Sequence, residues 1–146
     1  MTTIPISIPG PAQINVTMTS TGPRGATGPA GGSEVTATAG ETLSAGRVVV
    51  IVGGEAFYLQ PATATHMGKA YGITTTSANT GNQVSIQIGG VVTDSAFSAL
   101  TEGQVWVGAN GVIQTSLPGT GILQKAGIYL GSNNLKIDFS IQVQQN

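Results

Sequence analysis

From residue 47 onward the chain is a succession of short apolar runs broken by glycine and asparagine. Residues 47–53 (RVVVIVG) form a continuous apolar run of strand length. Gly53-Gly54 is a hairpin signal and leads into a second strand pattern at 55–62 (EAFYLQPA). A further short pattern follows a Thr-rich loop at 69–78 (KAYGITTTSA). Residues 83–93 (QVSIQIGGVVT) alternate Val84, Ile86 and Ile88 with Ser85 and Gln87, the period of a half-buried strand. Residues 104–116 read as two strands around Asn110-Gly111, a strong hairpin dipeptide. Residues 124–143 repeat that plan, with Ile128 and Leu130 before a turn at 132–134 and Leu135, Ile137, Phe139, Ile141 and Val143 after it. One helix is predicted, at 94–103 (DSAFSALTEG), capped by Asp94 or Ser95, with Phe97 and Leu100 on one face and Gly103 as its stop. Strands of this length and spacing predict an all-β domain over residues 33–146, a small barrel or sandwich.

The domain also echoes itself. Leu43-Ser44-Ala45-Gly46-Arg47-Val48 lines up with Leu100-Thr101-Glu102-Gly103-Gln104-Val105. Each is followed by a Gly-Ile step, at Gly72-Ile73 and at Gly127-Ile128. Two copies of one β unit, paired about a pseudo-dyad, would close such a fold.

The first 32 residues carry a different pattern. Residues 1–21 alternate around Ile4, Ile6 and Ile8, then Ile14, Val16 and Met18. The period is that of extended chain, but Pro5, Pro9 and Pro11 lack the N–H that a central strand needs. So short a stripe cannot bury itself. It is either a solvated terminus or an arm that docks on another protein by adding a strand to a foreign sheet edge. Residues 22–32 follow, with glycine in strict register at Gly22, Gly25, Gly28 and Gly31 and prolines at Pro23 and Pro29. Glycine at every third position is what the axis of a collagen triple helix requires, and a flexible Gly/Pro linker is the alternative. Such a triple helix would span about 30 Å. It is too short to hold three chains together alone, so it reads as a spacer inside a homotrimer anchored on both sides.

Composition narrows the function classes. Only 8% of the residues are charged and the net charge is −1, against roughly 25% charged in an ordinary domain. The five cations are scattered, so no basic patch marks a nucleic-acid surface. Cysteine is absent, which removes disulfides and thiolate metal sites. No apolar run is long enough to enter a membrane. The N-terminus has no basic n-region and does not read as a secretory signal peptide. His66 is the sole histidine and has no motif around it, and the six carboxylates form no recognisable catalytic pair. No enzyme, cofactor or metal is therefore expected. Trp106, Tyr58 and Tyr71 are the candidate ligand-binding aromatics; the commoner role of such rings, Phe57 included, is as core or interface residues.

The order of arm, short Gly-X-Y spacer and β domain resembles that of bacteriophage fibre and head-decoration proteins. Residues 39–92 are similar to the β-barrel domains of capsid decoration (cement) proteins, through Leu43, Ala45, Gly46, Val48 and Val49, then Ala70, Gly72 and Ile73, then Gly89, Gly90 and Val92. The arm and Gly-X-Y stretch depart from a plain cement protein. The resemblance implies a structural protein on the capsid surface of a virion, with the major capsid protein or another virion protein as partner. The alternative is a tail-fibre adhesin that recognises host cell-surface glycan.

Overall fold

The run VVVIV folds as a strand with two buried faces, and the domain is arranged around it. The computed structural model describes residues 33–145; the predicted arm (1–21) and Gly-X-Y spacer (22–32), with all of their anchoring and axis residues, lie outside them. Five strands form the first sheet: β1 (Glu34–Ala39), β2 (Val48–Val52), β3 (Glu55–Tyr58), β4 (Gly72–Thr74) and β5 (Gln83–Gln87). Their order is β1-β3-β2-β4-β5, and β5 pairs back on β1, which closes a small barrel. The β1–β3 pair is parallel and the others are antiparallel. Gly53 and Gly54 join β2 to β3 at φ 60° and 87°, the left-handed geometry that a two-residue hairpin turn demands.

Val49 lies in the barrel core with Ala39, Leu43, Ala56, Tyr58, Val84 and Ile86, and Ile51 packs against it. Val48 and Val50 point the other way, into a second core. This explains the absence of polar alternation in the run. β1 carries no apolar run; its alternation is the modest one of Val35, Ala37 and Ala39 against Glu34, Thr36 and Thr38. Small side chains suit the narrow interior that five strands enclose.

The second sheet consists of β6 (Val91–Thr93), β7 (Gly103–Val107), β8 (Ile113–Gln114), β9 (Ile122–Gly131) and β10 (Asn134–Ile137), with β11 (Gln142–Gln144) paired to the start of β9. Its order, β6-β10-β9-β7-β8, repeats the first sheet's connectivity strand for strand. β2 pairs with β3 and β4 as β7 pairs with β8 and β9, and β5 joins β4 to β1 as β10 joins β9 to β6. The registers agree as well: Gly72 lies opposite Val49 and Gly127 opposite Val105. The echo in the sequence is thus a repeat in the fold. The structural match pairs Val105 with Val49 rather than with Val48, because the first copy has one more residue between its positive-φ glycine (Gly46, against Gly103) and the paired valine.

The copies differ at one seam. Among the described residues β6 does not pair with β8 as β1 does with β3. The second sheet instead curls against the outside of the barrel. Val48, Val50, Leu59 and Ile73 from the barrel share a core with Val92, Phe97, Val105, Val107, Ile113, Ala126, Tyr129 and Leu135. Each such aliphatic side chain contributes about 1.5–3 kcal/mol on leaving water. Arg47 makes a bridge with Val112, and the Gly111 N–H donates to the Leu59 carbonyl at 2.9 Å.

Two sequence expectations change. Residues 83–93 are two strands of different sheets, parted at Ile88–Gly90; the Gln87 side-chain amide bridges the break by donating to the Gly89 and Val91 carbonyls, both at 2.8 Å. The helix expected at 94–103 is one 3-10 turn, Ser95–Phe97. Asp94 does cap it, accepting from the Ala96 N–H at 2.8 Å, and Phe97 is buried. The turn does not propagate because the Thr101 N–H donates to Thr115 Oγ1, just beyond β8, and Gly103 opens β7.

Candidate functional site

The three aromatic candidates are not brought together. Tyr58 belongs to the barrel core, and its hydroxyl accepts from the Ser44 N–H at 2.7 Å. Tyr71 precedes β4, donates its N–H to the Val49 carbonyl, and is 39% exposed. Trp106 is half-buried on β7, opposite Gln114 on one side and Lys125 on the other.

Hollows of about 490, 300 and 330 Å³ indent the described surface. The largest of these is lined by Leu43 and by small and amide side chains of residues 42–44 and 77–83. The one of about 330 Å³ is chemically the most varied, lined by Glu41, Val52, Phe57, Tyr58, Gln60 and His66.

Its walls are fixed from several directions. Phe57 lies directly over Gly40, where a Cβ would fall 2.6 Å from ring atom Cε2. Only glycine at 40 admits the ring there. Glu41, the next residue, accepts from the Tyr58 N–H through Oε2 at 2.8 Å. His66 closes the 3-10 turn Ala64–His66, and its Nδ1 accepts from the Gln60 N–H at 3.0 Å. That bond assigns the proton of the neutral ring to Nε2. The Gln60 amide is held in turn by Asn110, with Nε2 donating to Oδ1 at 2.6 Å and Oε1 accepting from the Asn110 N–H at 2.9 Å. The Arg47 guanidinium stands 5.2 Å from the centroid of the Tyr58 ring and donates to the Asn110 carbonyl.

Burial lowers the His66 pKa below 6.5, and Lys69 lowers it further against the opposing pull of Glu41. The ring is therefore neutral at neutral pH, as its acceptor role requires. A His with a depressed native pKa contributes stability that is complete above the unfolded-state value and is lost as pH falls through it. Stability should decline as pH drops from about 7 toward 5. The slope should vanish in His66→Asn, whose Oδ1 can keep the Gln60 bond without titrating; melting temperatures at the two pH values check this.

Sequence reasoning considered Phe57, Glu41 and His66 separately and had no reason to group them. Glu41 and His66 are bound by backbone N–H groups of Tyr58 and Gln60, and no residue pattern announces such bonds. Elsewhere, Lys125 is buried and paired with Asp138 at 2.9 Å. The Gln124 amide donates to the carbonyls of Lys125, Phe139 and Ile141. Both hold the chain after β10 against β9. Among the described residues no three His, Asp or Glu side chains converge to hold a metal, and no helix is long and apolar enough to cross a membrane. No protein-family model, curated protein or solved structure matches the chain.

Proposed function

We propose that this chain is a structural virion protein of a bacteriophage: a homotrimeric capsid decoration (head-fibre) protein. Residues 1–21 attach it to the particle, residues 22–32 act as a collagen-like spacer, and the β domain is displayed outward. The observation that carries this reading is how β1 is held. β1 begins at Glu34, three residues after Gly31, the last glycine of the Gly-X-Y register. β1 pairs with both β3 and β5 and so closes the barrel. A strand paired along both edges is a firm mount for a spacer. The low charge of the chain, 8% of residues, fits a protein packed into an assembly.

Deleting residues 1–21 is expected to leave the β domain folded and to abolish incorporation into particles, measured by immunoblot of purified virions. Incorporation at the wild-type level would refute the anchor. Light scattering on the full-length chain tests the trimer separately, with a mass near three chains expected.

A further inference from the structure

We infer that the hollow between Glu41, Phe57 and His66 is a binding site for a single neutral sugar ring. At about 330 Å³ it lies at the small end of the range of about 300–1,000 Å³ for ligand sites. Its volume matches one ring, with the rest of a longer molecule left outside. Its polar groups are complementary to hydroxyls. Glu41 spends Oε2 on the Tyr58 N–H, which leaves Oε1 as an acceptor. His66 spends Nδ1 on the Gln60 N–H, which leaves Nε2–H as a donor. The two line the same hollow. A hydroxyl can donate to the carboxylate while another oxygen of the same ring accepts from the imidazole. Phe57, held over Gly40, and Val52 supply the apolar wall against which the C–H face of a sugar lies.

Charge selects among ligand classes. Glu41 is the one carboxylate lining the hollow, and the His66 ring beside it presents a donor. An anion meets Glu41 directly, and an ammonium offers the His66 Nε2–H no oxygen to donate to. A neutral polyhydroxyl ring meets neither penalty. These are not the side chains that the sequence offered for glycan recognition, Tyr58 apart. Nor does the site depend on attachment to a particle, so this inference and the decoration reading can fail independently.

The test is a titration of ¹⁵N-labelled full-length protein with the methyl glycosides of glucose, galactose, mannose and N-acetylglucosamine, followed by amide chemical shifts. The Tyr58 and Gln60 amides report directly, because they donate to Glu41 and His66. At least one glycoside is expected to move both amides saturably, with Kd of about 1–10 mM. Glu41→Gln and His66→Asn each keep an acceptor for those amides while removing the ligand-facing group, and each should weaken binding about fivefold or more. Trp106→Ala should leave binding unchanged. The absence of saturable shifts at Tyr58 and Gln60 with all four sugars overturns the proposal. So does saturation confined to other surfaces, or affinity that survives both substitutions. Should a variant lose its folded spectrum, the wild-type titration alone decides.

Discussion

Gly127→Ala is expected to lower the unfolding free energy by about 3–5 kcal/mol, and Gly72→Ala by a similar amount. Neither glycine has a positive φ, so backbone strain is not the reason. The obstacle is space. At Gly72 a Cβ would sit 2.6 Å from the Gln87 carbonyl oxygen and 2.5 Å from Ile86 Cγ2. At Gly127 it would fall on the Lys136 carbonyl oxygen. Gln87 lies on β5 and Lys136 on β10, the equivalent strands of the two copies. In both cases the colliding atom belongs to the backbone of a paired strand, which can retreat only by parting the ladder. Gly119→Ala is the control, because nothing lies within 4 Å of its Cβ position and its φ is not positive. It should change stability by less than about 0.5 kcal/mol. Urea denaturation of the three variants measures the ranking. Values for Gly72→Ala and Gly127→Ala within 1 kcal/mol or so of Gly119→Ala would refute close approach of these strands as the reason for glycine.

The same positions show how much of the fold was legible. The Gly-Ile steps and the Leu-x-x-Gly lead-ins stood out in the sequence because packing and φ permit little else there, so the repeat left a visible trace. The β2–β3 hairpin was legible because Gly53-Gly54 supplies the left-handed geometry its turn needs. So was the turn between β9 and β10, where Ser132 and Asn133 both take positive φ. β1 was not legible: its inward residues, Val35, Ala37 and Ala39, are mostly small, and the outward threonines give weak contrast. The second face of β2 was not legible either, since a continuous apolar run does not say what covers each side. The helix at 94–103 failed because a cap and two apolar residues specify one turn, and the Thr115 hydroxyl, distant in sequence, took the Thr101 N–H. Of the candidate site, the residues were visible and their grouping was not. Tyr58 and Phe57 adjoin on β3, but Glu41 and His66 reach them from opposite sides in sequence, through bonds to main-chain amides.

Asp138→Asn is expected to destabilise the domain by about 2–3 kcal/mol at neutral pH. The Lys125 side chain is 8% exposed and Asp138 32%, with Nζ 2.9 Å from Oδ2. The substitution therefore leaves an ammonium inside the protein without its counter-charge. Asp138 is held well below 3.8, at about 2, chiefly by the hydrogen bond from Lys125 and then by hydrogen bonds from Ser140. A carboxylate with a depressed native pKa contributes stability that is present above the unfolded-state value and is lost as pH falls toward the native one. The wild-type advantage over Asp138→Asn should accordingly narrow between about pH 4 and pH 2, with about 1 kcal/mol of the gap titrating once solvent screening of the partly exposed carboxylate is allowed for. Lys125→Met alone should cost less than Asp138→Asn, because the carboxylate it strands still reaches water and the Ser140 N–H. Adding Lys125→Met to Asp138→Asn should restore most of the loss, since an apolar side chain at 125 needs no partner. The pair also sits at the base of the segment leading to β11, where the Asp138 N–H donates to the Ala126 carbonyl and the Lys125 N–H to the Ile141 carbonyl. Faster hydrogen exchange at Val143 and Gln144 in Asp138→Asn, reversed in the double variant, would identify the ion pair as the clamp on that strand. A gap that persists unchanged below pH 2, or a double variant no more stable than Asp138→Asn, would assign the loss to something other than the stranded charge.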